Sequence, residues 1–272
     1  MTIRLDYHLH TCHSMDCEQS LDTLCAAAVR TGLTEICITD HTEFGHPYPG
    51  SDVPPVVEDW LADIEAAREA WPQLTIRAGL EIGDNPLCRE RIKRWHAALP
   101  LDFKLLSLHL IDQEDPFVPE FFAHRDQATL YRRYVESRLE SAMAWEPEEF
   151  DAFAHIGYCA KFAPYPLEER LLRRRHAPEA MDALLRRLAE NGKALEINTS
   201  GRKTMPEFLP DREIVTRFRE LGGEFVTLGS DAHTPEYVGR WIDEAAELAK
   251  SCGIRWALTF SQRRPCLLYT SP

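Results

Sequence analysis

The stretch Ile3–His10, IRLDYHLH, begins with alternating apolar residues and ends in two histidines that are one residue apart. Alternation with a period of two is typical of a β-strand, and it points both imidazoles to the same face. A metal ion could therefore bind both rings. The stretch Gly229–His233, GSDAH, repeats this spacing with Asp231 and His233. Imidazole and carboxylate are ligands that suit zinc, manganese and iron.

Short β-like runs alternate with amphipathic helical segments along the chain. This alternation predicts a parallel sheet, and seven or eight such units favour a closed or nearly closed α/β barrel. An open doubly wound sheet is the alternative. Neither a Gly-x-Gly-x-x-Gly segment after the first strand nor a Walker-type lysine loop occurs, which argues against dinucleotide and P-loop folds. A last helix is expected near Tyr237–Ala249, before a short strand at Arg255–Leu258. The other expected strands are Ile3–His8, Glu35–Thr39, Thr75–Leu80, Phe103–Ser107, Ala152–Ala154, Ala194–Asn198 and Glu224–Leu228.

Histidines, acids or amides stand at or next to the end of each of these barrel strands. In an α/β barrel the carboxyl ends of all strands meet on one face, where active sites are built. Burying so many polar groups without metals would leave charges unpaired. The strand ends therefore predict a metal site. The residues concerned are His8, His10, Asp40, His41, Glu81, His109, His155, Glu196, Asn198, Asp231 and His233.

Taken in order, these motifs resemble the PHP (polymerase and histidinol phosphatase) family of metal-dependent phosphoesterases. The segment Glu196–Gly201, EINTSG, and the overall length resemble its free-standing histidinol-phosphatase branch. The resemblance implies an α/β fold, a distorted (β/α)7 TIM-like barrel in a single domain, that holds three divalent metal ions. The other supporting motifs are DYHLHT at 6–11, ITDH at 38–41, GLE at 79–81, SLH at 107–109, AHI at 154–156 and GSDAH at 229–233.

The resemblance also implies which side chains hold the metals, which would be zinc, manganese or iron. In the loop after the first strand, the family pattern favours Asp16 over His13 as a ligand. Asp40 precedes a ligand and is expected either to orient an imidazole or a bound water, or to cap its strand. The first metal would take His8, His10, Glu81 and Asp231, the second Asp16, His41 and His233, and the third Glu81, His109 and His155.

The implied activity is hydrolysis of L-histidinol phosphate to L-histidinol and phosphate, a step of histidine biosynthesis, by attack of a metal-bridging hydroxide. Asp231 or His233 would help to protonate the leaving oxygen. Two basic residues on loops of the metal-bearing face would bind the phosphate, and two polar residues at the end of a buried strand would line the pocket or support ligands. The two basic residues are Lys161 and Arg202. The two polar residues are Asn198 and Glu196.

Four further histidines lie outside the motifs: His46, His96, His124 and His176. His46 and His124 stand in loops that could overhang the pocket. His96 belongs to the basic segment Arg91–His96 and is expected to be solvated.

The main alternative is a PHP-family phosphoesterase that acts on another small phosphomonoester, a nucleotide or a nucleic-acid end. A net charge of −13 and the lack of a basic groove argue against polymer substrates and a nucleic-acid partner. A non-catalytic, metal-holding domain should have lost ligands, whereas every expected position is filled here. An amidohydrolase-like barrel shares the leading His-x-His, but no suitable lysine ends its middle strands.

The 272 residues, of which 44% are apolar, suffice for one α/β barrel. Because the chain lacks an apolar run of eighteen residues and a signal-peptide pattern, we expect a cytoplasmic protein without a membrane partner. We expect residues 1–265 to form the PHP phosphoesterase domain. Residues 266–272, CLLYTSP, resemble a translated sequencing adapter and are expected to be a non-native tail.

Overall fold

Ten β-strands and eight α-helices alternate in the part of the chain that the structure, a computed structural model, describes: residues 3–47, 54–123 and 125–269. None of the helices in these ranges is both long and apolar enough to cross a bilayer. In chain order the elements are β1 (Leu5–Leu9), α1 (Leu21–Arg30), β2 (Glu35–Ile38), β3 (His41–Thr42), α2 (Val57–Ala70), β4 (Thr75–Gly83), α3 (Arg89–Ala97), β5 (Phe103–Ser107), α4 (Gln127–Ala144), β6 (Ala152–Phe153), α5 (Leu167–Arg170), α6 (Pro178–Glu190), β7 (Ala194–Asn198), α7 (Arg212–Glu220), β8 (Phe225–Gly229), α8 (Ile242–Ser251), β9 (Trp256–Ser261) and β10 (Arg264–Tyr269).

Seven parallel strands form the barrel in the order β1-β2-β4-β5-β6-β7-β8, and β3 pairs with the end of β4. The ring closes between its first and last strands, β1 and β8. There, His10 N donates to Ala232 O at 3.2 Å and Asp231 N donates to His8 O at 2.8 Å. A register shift between β1 and β2 distorts it. The expected distorted α/β barrel is thus confirmed, and the open sheet is not formed. Strands such as β1, β5 and β7 are buried along their whole length, as parallel strands covered by helices should be.

The helices cover the barrel with their apolar stripes. In α6, Met181, Leu184, Leu185 and Leu188 are fully buried, as their spacing predicts. The last long helix differs from the expectation, because α8 begins at Ile242 rather than near residue 237. The preceding backbone adopts positive φ at Gly239 and Trp241, which a helix does not allow. The N–H of Gly239 instead donates to the carboxylate of Asp6, at 2.9 Å, so this turn is anchored to β1.

The ring of His96 is buried, so the expectation that it is solvated was wrong. His96 lies four residues after Ile92, and both belong to the buried face of α3. Its ring stacks on Trp145 with the centroids 5.5 Å apart. Burial, reinforced by the charge of Lys104, lowers the pKa of His96 to about 3.

The hairpin of β9 and β10 covers the amino-terminal end of the barrel. β9 runs parallel to β8. In the turn between β9 and β10, Gln262 N donates to the carboxylate of Asp102 at 2.8 Å. Arg263 forms two hydrogen bonds with Asp151, just before β6. The start of the expected tail, Cys266–Tyr269, pairs with β9 through its backbone, while the side chain of Leu267 is exposed. The opposite, carboxyl-terminal face of the barrel is left for a site.

Candidate metal centre

A cavity of about 710 Å³ opens at the face where the barrel strands end. Seven of the nine predicted metal ligands line it, because the carboxyl ends of parallel strands meet there. The other two, His8 and His10, are fully buried against them. The seven in the wall are Asp16, His41, Glu81, His109, His155, Asp231 and His233.

Glu81 lies at the middle of the cluster. Its Oε2 is 3.0 Å from His8 Nε2 and 3.1 Å from His41 Nδ1, whereas its Oε1 is 2.7 Å from His155 Nε2 and 3.1 Å from His109 Nε2. Burial opposes ionisation, but His8, His109 and His41 outweigh it and hold the pKa of Glu81 well below its usual value. The carboxylate is therefore ionised, and its two oxygens face two different groups of imidazoles.

His8, His10 and Asp231 form the first group, on the Oε2 side of Glu81. Their ligand atoms lie within 4.8 Å of one another. His10 Nε2 is 3.4 Å from Asp231 Oδ1 and 3.5 Å from Glu81 Oε2. Burial opposes ionisation of Asp231 as well, but Lys161 and His8 outweigh it and hold the pKa well below normal. This arrangement matches the ligand set expected for the first metal.

Asp16 links His41 and His233 in the second group. Its Oδ2 is 3.1 Å from His233 Nε2 and 3.6 Å from His41 Nε2. His13, the alternative in the same loop, points elsewhere, because its Nε2 pairs with Asp63 Oδ2 at 2.8 Å. The geometry therefore favours Asp16 over His13.

His109 and His155 form the third group with the Oε1 atom of Glu81. Their Nε2 atoms are 3.4 Å apart. Burial lowers the pKa of His155 to about 4 despite the opposing charge of Glu81. Burial also disfavours the charged form of His109, but Glu81 and Glu43 outweigh it and raise the pKa of His109 to about 9. The Oε1 atom of Glu81 thus faces the Nε2 atoms of both imidazoles.

The donor atoms suit metal ions. Four buried ring nitrogens of this cluster make no hydrogen bond of good geometry with the described residues, although three of them lie close to carboxylate oxygens. They are His10 Nε2, His41 Nδ1, His155 Nδ1 and His233 Nε2. Burial and the neighbouring imidazoles of His233 and His41 hold the pKa of His10 well below normal, so its ring is neutral and offers a lone pair. Buried polar atoms without partners cost free energy, which a bound cation would offset. Nitrogen and carboxylate oxygen donors in this mixture suit zinc, manganese or iron.

Glu196 and Asn198 lie behind the ligands rather than in the cavity wall, which corrects their expected role in substrate contact. Glu196 Oε1 is 2.5 Å from His8 Nδ1, and its Oε2 accepts from His155 N at 2.7 Å. Asn198 Nδ2 lies 3.4 Å from His8 Nδ1 and 3.5 Å from Asp231 Oδ2. The reason is the period of two in β7, which points both side chains into the barrel beneath the cavity. They support ligands, the other role that the sequence allowed.

Asp40 acts on the cluster through Ser14. Its carboxylate accepts from Ser14 Oγ at 2.6 Å and from Trp60 Nε1 at 3.0 Å. Ser14 Oγ in turn lies 3.0 Å from Nδ1 of His10. Asp40 therefore fixes the ring of His10 indirectly, in agreement with the first of its two expected roles.

Lys161 reaches the cavity, but Arg202 does not. Lys161 Nζ lies 3.0 Å from Ser200 Oγ and 3.4 Å from Asp231 Oδ2. Arg202 is exposed, and its guanidinium covers the ring of Phe208 at 4.7 Å. Lys203 lines the cavity instead, with Nζ 3.3 Å from the carbonyl oxygen of Asp231. The structure therefore favours Lys203 over Arg202 as the second cation, because the short 3₁₀ turn that carries both residues points only Lys203 inward.

Glu43 is a member of the centre that the sequence reasoning missed. It is buried, and its Oε1 lies 2.6 Å from His109 Nδ1. The only signal is its spacing two residues after His41, at the end of β3, which resembles the other ligand pairs. Among the loop histidines, His46 lines the cavity, and His124 lies outside the described residues.

Comparisons with known proteins point to one family. Residues 6–200 match the PHP domain. The histidinol-phosphatase of Lactococcus lactis subsp. lactis is 30% identical over 263 residues, which are 95% of this chain and 94% of that protein. The probable histidinol-phosphatase of Deinococcus radiodurans is 30% identical over 280 residues, covering 97% and 99%. The crystal structure of the Lactococcus lactis histidinol phosphate phosphatase, complexed with zinc, L-histidinol and phosphate, superposes with a TM-score of 0.86 at 28% identity, covering 97% and 98%.

Proposed function

Because the chain belongs to the PHP domain family, we propose that it is a metal-dependent phosphomonoesterase that hydrolyses L-histidinol phosphate to L-histidinol and phosphate. The observation that carries the proposal is the cluster of buried imidazoles whose ring nitrogens surround the carboxylate of Glu81, beside Lys161. The similar Lactococcus lactis phosphatase, in complex with zinc, L-histidinol and phosphate, supports this choice of substrate and metal.

Three divalent ions would be held by the three groups of side chains. Zinc is supported by the relative, and manganese and iron share the same donor preferences. When bound, such ions acidify a water molecule and neutralise charge on phosphate oxygens. The bridging position of Glu81 suits two ions at once, because each of its oxygens faces different imidazoles.

The chain's own residues would bind the phosphate and handle the proton of the leaving group. Lys161 offers a point charge to phosphate oxygens, and Ser200 donates to Asp231 Oδ2 at 2.9 Å, which holds that carboxylate in place. His233 Nδ1 lies 3.5 Å from Asp231 Oδ1, next to Lys161. This adjacency supports Asp231 and His233 as the pair that passes a proton to the leaving oxygen.

A single purified preparation tests the proposal. Metal content is measured by elemental analysis, and phosphate release is measured with L-histidinol phosphate, other small phosphomonoesters, nucleotides and short oligonucleotides. We expect two or three transition-metal ions per chain, a kcat/KM highest for L-histidinol phosphate, and loss of activity with a chelator. The variant His8→Ala is the inactive control. Metal-free protein with activity that chelators leave untouched would disprove metal dependence, and a preference for another phosphomonoester would disprove the substrate.

A further inference from the structure

The barrel seam, where β1 meets β8, is closed by few hydrogen bonds. In the described part of the chain, the two strands share one isolated bridge, between Leu9 and Ala232, whereas β4 and β5 pair over five residues each. The relative position of the two strand ends therefore depends on a small number of contacts. Predicted metal ligands stand on both sides of the seam: His8 and His10 on β1, and Asp231 and His233 after β8.

The side chain of Gln19 bridges this seam. Gln19 is buried in the loop between β1 and α1. Its Nε2 donates to His10 O at 2.7 Å and to Ala232 O at 3.0 Å. Because both partners are carbonyl oxygens, which only accept, the amide must direct its nitrogen toward the seam. Each of its two N–H groups thus serves a different strand end.

This orientation of the amide has a cost. The Oε1 atom of Gln19 is buried and has no hydrogen-bond partner among the described residues. A buried polar atom without a partner is unfavourable, and the two hydrogen bonds to the seam offset this cost. The backbone also fixes the side chain in place, because the carbonyl oxygen of Gln19 accepts from Cys12 N at 2.8 Å.

The backbone that Gln19 holds is strained next to a ligand. Asp231 adopts a φ of 52°, in the left-handed region that residues with a side chain avoid. Such a conformation persists only where its surroundings impose it. Gln19 binds the carbonyl of the next residue, Ala232, and so holds this turn against β1. Across the seam, the rings of His10 and His233 stack with their centroids 4.1 Å apart.

We propose that Gln19 is a positioning residue of the metal centre, which sets the ligands of β1 against those that follow β8. The inference rests on the proposed function, because it concerns how the metal ions are held. Gln19 lies behind the ligands and does not line the cavity, so it acts through the backbone of His10 and Ala232. His109 and His155 follow β5 and β6, away from the seam, and should not depend on Gln19.

The variant Gln19→Met tests the inference, because it removes both donors and keeps a side chain of similar length. Zinc per chain is measured by elemental analysis after dialysis against buffers of graded free zinc concentration. We expect the ions held across the seam to require about tenfold more free zinc than in the wild type. This is the lower end of the range for groups that orient metal ligands, since Gln19 acts through the backbone. One ion per chain, at His109 and His155, should be retained as in the wild type.

The matched control is Ser20→Ala in the same loop. Ser20 Oγ caps α1 by accepting from Thr23 N at 3.2 Å, and it does not reach the seam. The control should lower the melting temperature and leave the zinc retention unchanged. Gln19→Asn, whose amide sits on a shorter side chain, should lose the same ions as Gln19→Met and replaces it if that variant does not fold.

Hydrogen exchange of the zinc-free protein provides a readout that does not involve the metal. The backbone N–H groups of His10 and Asp231 cross the seam, so they should exchange faster in Gln19→Met than in the wild type. Unchanged zinc retention in a folded Gln19 variant, an equal shift for all ions, or the same shift in Ser20→Ala would overturn the inference and leave the proposed function intact. Wild-type protein that retains no zinc would overturn the proposed metal dependence, and the inference with it.

Discussion

Glu196 Oε1 lies 2.5 Å from Nδ1 of His8, and both residues are buried in the barrel. Burial disfavours the charged imidazole, but Glu196, Glu81 and Asp231 outweigh it and raise the pKa of His8 well above normal. Because Nδ1 is occupied by Glu196, only Nε2 of His8 is directed at the metal position. A carboxylate behind a ligating histidine fixes the tautomer and orientation of the ring.

Replacement of Glu196 by Gln should therefore weaken metal binding. Loss of such a partner typically costs about 10- to 100-fold in metal affinity or activity. Metal titration followed by elemental analysis measures the first quantity, and phosphate release the second. Glu190→Gln, which alters an exposed acid at the end of α6, should match the wild type. Unchanged metal affinity in Glu196→Gln would show that the ring of His8 is held by other contacts.

The two candidates in the loop after β1 can be separated by a pair of variants. Asp16→Asn should lose one metal and most of the activity, because Asp16 lies between His41 and His233. His13→Ala should keep the full metal content, since its ring pairs with Asp63 on α2. Elemental analysis measures the metal content of both variants. A full metal content in Asp16→Asn together with a lost metal in His13→Ala would assign the ligand to His13.

The two basic residues expected at the phosphate should behave differently. Lys161→Ala should raise KM about tenfold or more with an unchanged metal content, because an ionic contact to the substrate is lost. Arg202→Ala should leave KM unchanged, since its guanidinium covers Phe208 outside the cavity. Steady-state kinetics with L-histidinol phosphate provides the measurement. Metal loss in Lys161→Ala would mean that this lysine supports the ligands.

Tyr134 holds the turn that carries His155. Its hydroxyl accepts from Gly157 N at 3.0 Å and from Tyr158 N at 2.9 Å, and His155 itself adopts a positive φ. Tyr134→Phe leaves the buried N–H of Gly157 unpaired, whereas Tyr158 N keeps its hydrogen bond to the carbonyl oxygen of His155. We therefore expect a loss of about 1–3 kcal/mol in the free energy of unfolding, together with reduced activity. Urea denaturation and phosphate release measure the two effects.

The control for Tyr134 is Tyr131→Phe on the same helix. The hydroxyl of Tyr131 donates to the carbonyl of Arg170, away from the metal centre. This variant should keep its activity, whatever its effect on stability. Equal activity in the two variants would argue against a positioning role of Tyr134.

The buried ring of His96 should make stability depend on pH. Its pKa is lowered to about 3 in the folded protein, against about 6.5 in an unfolded chain. Between these values the unfolded chain binds more protons, so the stability that neutral His96 contributes is present above the unfolded pKa and is lost as the pH falls. The slope approaches about 1.4 kcal/mol per pH unit. We therefore measure the free energy of unfolding by urea denaturation at several pH values. As the pH falls from about 6.5 to about 5, this free energy should decrease less in His96→Phe than in the wild type. Equal slopes of the free energy of unfolding against pH in the two proteins would show that His96 does not cause this pH dependence.

The amino-acid sequence alone determined the barrel and most of the side chains that meet in the candidate metal centre. The period of two placed His8 and His10 on one face, and alternation of strands with helices implied a parallel sheet. In such a sheet all carboxyl ends lie on one side, so residues as distant as Glu81 and Asp231 had to meet. These conclusions depend only on regular backbone geometry, which repeats wherever the pattern occurs.

Only the tertiary structure decided the roles that depend on how irregular segments pack. It separated Lys203 from its neighbour Arg202, added Glu43 to the centre, and placed Asp115 in the cavity wall. It also buried His96 against a distant tryptophan. In a loop or a short 3₁₀ turn, the direction of a side chain has no fixed period, because contacts with residues far away in the sequence determine it.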